Sequence, residues 1–170
     1  MPKTQWRRAI RQFLSSLIFV TLSTAPVLSA ELRLTINGIN SDRGKILIGL
    51  YDDGDGFRSA IANAAKRGLI PDTGRLIGTA IRAQRGERST VFTQLPPGRY
   101  AVIAIHDEND NGRLDENFLG FPNEGYGFGN DAQGFFGAPS FDAAAINVGN
   151  ADLSAYITLI YPAPSPAEDQ

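Results

Sequence analysis

Every residue from Tyr100 to Ile105 (YAVIAI) is apolar, so as an extended segment it turns hydrophobic side chains to both faces. Such a strand is stable only when covered on both sides, which makes it central and forces a layered architecture around it. The segments that can supply the cover are themselves strand-like. Leu32, Leu34 and Ile36 alternate with polar neighbours up to Asn37-Gly38, and Lys45 to Tyr51 places Ile46, Ile48 and Leu50 on one face. Leu76 to Ala83 and Ser89 to Thr93 read as two more strands, and Phe141 to Val148 and Leu153 to Tyr161 as the closing ones. Leu95-Pro96-Pro97-Gly98 is a turn, with prolines where φ is pre-set and a glycine available for positive φ. Asp52-Asp53-Gly54-Asp55-Gly56 reads as a plain Asp-Gly turn. After it, Phe57 to Arg67 spaces Phe57, Ile61, Ala64 and Ala65 as one short helix closed by Gly68. About seven short strands with turn signals every 8–12 residues describe an all-β, antiparallel β-sandwich. The eighteen glycines and ten prolines agree with a turn-rich β protein. One domain is expected over residues 31–161, followed by a polar tail at 162–170.

The first thirty residues have a different character. Lys3, Arg7, Arg8 and Arg11 precede an apolar stretch from Phe13 to Leu22, a small polar region runs to Ala30, and the first acidic residue is Glu31. That order is the layout of a secretory signal peptide. The uncharged window Gln12 to Ala30 is nominally long enough to span a bilayer, but its serines, threonines and Pro26 dilute it. Cleavage is expected after Ala30, although Leu28 is bulky where a small residue is preferred. The expected address is periplasmic or secreted, with no membrane insertion after cleavage. Of the sixteen Lys and Arg, four fall before Glu31, so the remaining chain carries 12 against 18 Asp and Glu, a formal charge of −6. An acidic chain without a basic stripe argues against nucleic acid as a partner. The absence of cysteine excludes disulfides, zinc–thiolate sites and cysteine nucleophiles, and one histidine excludes a multi-histidine metal cage.

Residues 107–140 show no strand or helix period, and structureless loops beyond about 12–15 residues are uncommon in compact domains unless functional. Glycines at 112, 120, 125, 127, 129, 134 and 137 alternate with Phe118, Phe121, Tyr126, Phe128, Phe135 and Phe136. The aromatics are expected to anchor an ordered loop onto the sandwich. At its start, Asp107, Asn109, Asn111 and Gly112 match the opening of a calcium-binding loop, D-x-[DN]-x-[DN]-G. Oxygens at positions one, three and five converge when the backbone wraps around one point. The glycine at six permits the bend, the Arg113 carbonyl at seven faces inward, and Asp115 at nine closes the ring. Position twelve is Phe118 rather than glutamate, which leaves Glu116 or Glu124 as a candidate extra ligand. With so few carboxylates, affinity falls at the weak end of the calcium range, about 10⁻⁴–10⁻³ M. The competing reading is a turn in which Asp and Asn cap their own backbone, and an all-oxygen site also admits magnesium.

His106 falls on the same strand face as Tyr100, Val102 and Ala104, where it reads as a half-buried structural histidine bonded to the loop backbone. LPPGRYAV resembles the turn-and-strand of prealbumin-like and Cna-B-type sandwich modules. The longer run PPGRYAVIAIHDENDNGRLDENFLGFPNEGYGFGND, followed by GAPSFDAAAI, resembles the bacterial family called domain of unknown function 2141. The likeness extends from Leu32 through Tyr161 and implies an exported protein with a prealbumin-like or immunoglobulin-like sandwich, without implying a reaction. The leading expectation is a non-enzymatic binding or structural module whose aromatic loop is ordered by calcium and meets a protein or small-molecule ligand. The alternatives are a periplasmic hydrolase using His106 with neighbouring carboxylates, and a soluble carrier holding an apolar ligand under the loop.

Overall fold

A computed structural model describes residues 30–135 and 137–162. The first thirty residues, read above as a signal segment, and the tail beyond residue 162 lie outside the described residues, apart from Ala30. Eight strands form two sheets among the described residues. The smaller sheet contains β1 (Ala30–Ile39), β4 (Gly86–Leu95) and β8 (Leu153–Thr158) in the order β4-β1-β8. The larger contains β2 (Lys45–Tyr51), β3 (Leu76–Arg82), β5 (Gly98–Asp107) and β6 (Gly125–Phe128) in the order β3-β2-β5-β6. β7 (Ala145–Val148) pairs with the first half of β5, while β6 pairs with its second half. The all-β sandwich expected from the strand pattern is the observed architecture, with one departure: β8 runs parallel to β1, Leu32 opposite Leu153 through Asn37 opposite Thr158.

β5 is the central strand that its composition requires, with every residue from Tyr100 to Asp107 buried. Its two faces supply two different cores. Tyr100, Val102 and Ala104 face the smaller sheet and pack with Leu32, Leu34 and Ile36 of β1, Ile46, Ile48 and Leu50 of β2, and Ile157 of β8. Ala101, Ile103 and Ile105 face the other way, where α1 (Gly54–Arg67) lays Phe57, Ala60 and Ala64 over the sheet together with Tyr51 and Leu114. Edge-on contacts of Phe57 with Tyr51, Phe128 and Phe141 fill this second core.

Several local expectations are corrected. The Asp52–Gly56 run is a helix start, because Asp53 accepts a hydrogen bond from the Gly56 N–H at 2.7 Å and caps α1. Gly98 does not use positive φ; in this region Gln94 does, at 58°. Residues 141–148 divide into a helical turn, α2 (Phe141–Ala144), capped by Ser140, and β7. The 107–140 segment contains β6 and a short 3-10 turn at Gly129–Asp131. Its aromatics also part company. Tyr126 and Phe128 pack on the second core, whereas Phe118, Phe121 and Phe135 are 94%, 62% and 93% exposed.

Candidate functional site

Strand β5 ends on a buried carboxylate. Asp107 sits opposite Lys45 in the β2–β5 register, and its oxygens accept from the Asn111 N–H at 2.9 Å and the Gly112 N–H at 2.8 Å. The Lys45 ammonium lies 3.5 Å from Asp107 and 3.3 Å from Asp110, so the one fully buried acid of the loop is balanced by two N–H donors and a cation. Those two carboxylates hold Lys45 above its ordinary range despite the opposing effect of burial. The wrap of the backbone depends on left-handed φ at Asp110 (61°) and Gly112 (79°).

The remaining side chains of the motif meet each other. Asn109 Oδ1 accepts from the Asn111 N–H at 3.1 Å, and Asn111 Oδ1 accepts from the Arg113 N–H at 2.9 Å. Their amide nitrogens both donate to the Asp115 carboxylate, at 2.7 and 2.8 Å. Asn109, Asn111 and Asp115 are thus brought to one point, with Asp107 behind them as the anchor. Among the described residues, no group of three or more His, Asp or Glu side chains is arranged to hold a metal ion. Any cation here would rest on a mixed set of carboxylates and amides.

The two candidate extra carboxylates go to different places. Glu124, immediately before β6 and 4% exposed, reaches back to accept from the Glu108 N–H at 2.9 Å and the Asp115 N–H at 3.0 Å. It therefore ties both ends of the loop to the sheet. Burial pushes its carboxyl up, the two N–H bonds oppose that, and the charges of Asp115 and Asp107 add to it. Glu116 is exposed and turns away, bridging to Pro122 across a small hairpin. That hairpin is closed by the Asn117 N–H to the Phe121 carbonyl at 2.8 Å and the Asn123 N–H to the Asp115 carbonyl at 2.7 Å, and its turn carries Phe118 and Leu119.

His106 is fully buried on the inter-sheet face, not half-buried as its position at the strand's end suggested. Its Nε2 lies 2.8 Å from the Arg43 carbonyl oxygen, which can only accept, so Nε2 carries the proton. Its Nδ1 then accepts from the Tyr161 hydroxyl at 2.6 Å. Burial pushes the Tyr161 phenol up to about 12. Both ring nitrogens are thus engaged, one by a backbone carbonyl and one by a tyrosine hydroxyl, and the ring is out of solvent.

Beneath the 115–123 hairpin lies a concavity of about 500 Å³. Ile103 and Ile105 of β5 and Tyr126 and Phe128 of β6 form its floor, Ile61 and Ala64 of α1 one wall, and Phe121 its rim. No helix among the described residues is long and apolar enough to cross a membrane.

The fold and loop together define a β-sandwich module with an Asx-rich loop that leads into an apolar cleft. The chain belongs to the family DUF2141, described as an uncharacterized protein conserved in bacteria, whose model matches residues 34–155. That span covers the central strand β5, most of β1, the whole Asp107–Asp115 loop and the cleft. No curated protein matches the chain. No solved structure matches it.

Proposed function

We propose that this chain is an exported, non-catalytic binding module in which the Asp107–Asp115 loop takes up one calcium ion and steadies the segment that presents the apolar cleft. The observation that carries the calcium reading is the meeting of Asn109, Asn111 and Asp115 at one point, at loop positions three, five and nine counted from Asp107, the spacing that oxygen-ligand loops use. Asp107, Asn109, Asn111, Asp115 and the Arg113 carbonyl would hold the ion, which would supply the positive charge now provided by amide N–H groups. To ligate the ion, the asparagine oxygens would turn from the Asn111 and Arg113 N–H groups they now accept from, so metal uptake would exchange those two hydrogen bonds for oxygen–cation contacts. Glu124 supports the loop through its backbone and Glu116 belongs to the cleft, so neither is needed as a ligand. The signal-like first thirty residues support export.

Melting temperature across a calcium titration, with magnesium as control, tests the reading. Binding restricted to the folded state adds about 1.4 kcal/mol at tenfold excess over Kd, a rise of several degrees for a domain of this size. Asp115→Asn should remove most of the rise while leaving the Asp107 anchor in place, and Asp55→Ala, remote on α1, should leave it intact. No rise up to several millimolar, or an equal rise in Asp115→Asn, would reduce the loop to a self-capped turn.

A further inference from the structure

We infer that the cleft under the 115–123 hairpin is a binding site for a small amphiphile with an apolar body and a cationic amine head. This inference rests on the binding-module reading and names the chemistry of its ligand. The cleft is in the size range of small-molecule sites, about 300–1,000 Å³, and it has their composition, an apolar bed with few polar groups. Its floor is the outer face of β5 and β6, where Ile103 and Ile105 are buried against α1, and a ligand would extend this second core outward.

The sign of the head group follows from what lines the site. Glu116 is the one charged side chain of the lining, and no lysine or arginine is among the residues that form it. Its carboxylate makes no ion pair or hydrogen bond among the described residues, unlike those of Asp107, Asp115 and Glu124 in the same loop region. Three rings, Phe121, Tyr126 and Phe128, also line the cleft, and aromatic faces attract cations as a carboxylate does. A carboxylate or phosphate head would meet like charge at Glu116 and no compensating cationic side chain in the lining, whereas an ammonium meets an acceptor and π-faces. Phe121 at 62% exposure and Leu119 at 65% stand at and beside the mouth, on a hairpin anchored through Asp115 and Asn123 at its base.

A matched set of single-chain probes, decylamine, decanol and decanoate below their aggregation limits, tests this by calorimetric titration of the full folded chain. The amine should bind best, the alcohol more weakly and the acid weakest. Glu116→Gln should lower amine affinity roughly three- to tenfold, the range for a partly exposed charged contact, and leave the alcohol unchanged. Ile61→Asp, which puts a charge on the apolar wall, should weaken the alcohol. Decanoate binding as tightly as decylamine, or an amine affinity indifferent to Glu116→Gln, overturns the inference while leaving an apolar cleft in place. Failure of all three probes overturns the cleft as a small-molecule site altogether. Should Ile61→Asp fail to fold, Ala64→Leu, which fills the wall with apolar volume, should weaken all three alike; unchanged binding in that variant places the probes elsewhere and also overturns it.

Discussion

Glu124 carries two backbone hydrogen bonds from residues seven apart, Glu108 and Asp115, and does so out of solvent. Its carboxyl is held above the ordinary 4.5, chiefly by burial. The folded state therefore keeps a proton that the unfolded chain has already released. The linkage contribution of this group is fully present below the unfolded value and is lost as pH rises through the raised native one. Denaturant midpoints measured from about pH 4 to pH 8 should accordingly fall with pH more steeply in the wild type than in Glu124→Gln, which cannot titrate. A difference curve that is flat, or rises with pH, would contradict the buried bracing role. At this scale the sequence was legible where the chemistry is local. Asp107, Asn109, Asn111, Gly112 and Asp115 bond to atoms within eight residues of one another, so spacing alone brings them together. Lys45 against Asp107, and Tyr161 on His106, were not legible, because those contacts follow from strand register and from the packing of the final segment.

Among the elements, β6 is instructive because two of its four residues are glycines. Gly127 passes beneath β8 so closely that a Cβ there would stand 2.6 Å from Ile157 and 2.9 Å from the Thr158 carbonyl oxygen. Gly127→Ala should cost about 1–3 kcal/mol through overpacking, read as a lower urea midpoint at unchanged slope. Gly149→Ala, with nothing within 4 Å and no positive φ, is the control and should stay within about 0.5 kcal/mol. An insensitive Gly127 would mean that β6 and β8 are farther apart than described. The same glycines explain why β6 was missed. A strand announces itself through alternating apolar side chains, and in Gly-Tyr-Gly-Phe the inward positions have none, since Tyr161 fills that space at Gly125 and β8 at Gly127. Strands β1, β2 and β5, whose inward positions carry mainly apolar side chains, were legible. The aromatics of the long loop were not, because composition does not distinguish Phe128, packed on the second core, from the outward Phe118.

For the whole molecule, the telling pairing is the parallel one between the first strand and the last. The Glu31 N–H meets the Asp152 carboxylate across 121 residues, and β1 and β8 continue side by side from there. Contacts of that separation close only after most of the chain entropy has been spent, so folding is expected on the millisecond-to-second scale of non-local β proteins. A chain ending at Asp152 should lose the cooperative urea transition that the full chain has. Retention of that transition would mean that β4 and β1 suffice without β8. The pairing also sets an order of events. A chain delivered N-terminus first carries β1 with one edge open until Leu153–Thr158 arrives. The last strand to emerge is then the one that closes the open edge of β1 in the smaller sheet.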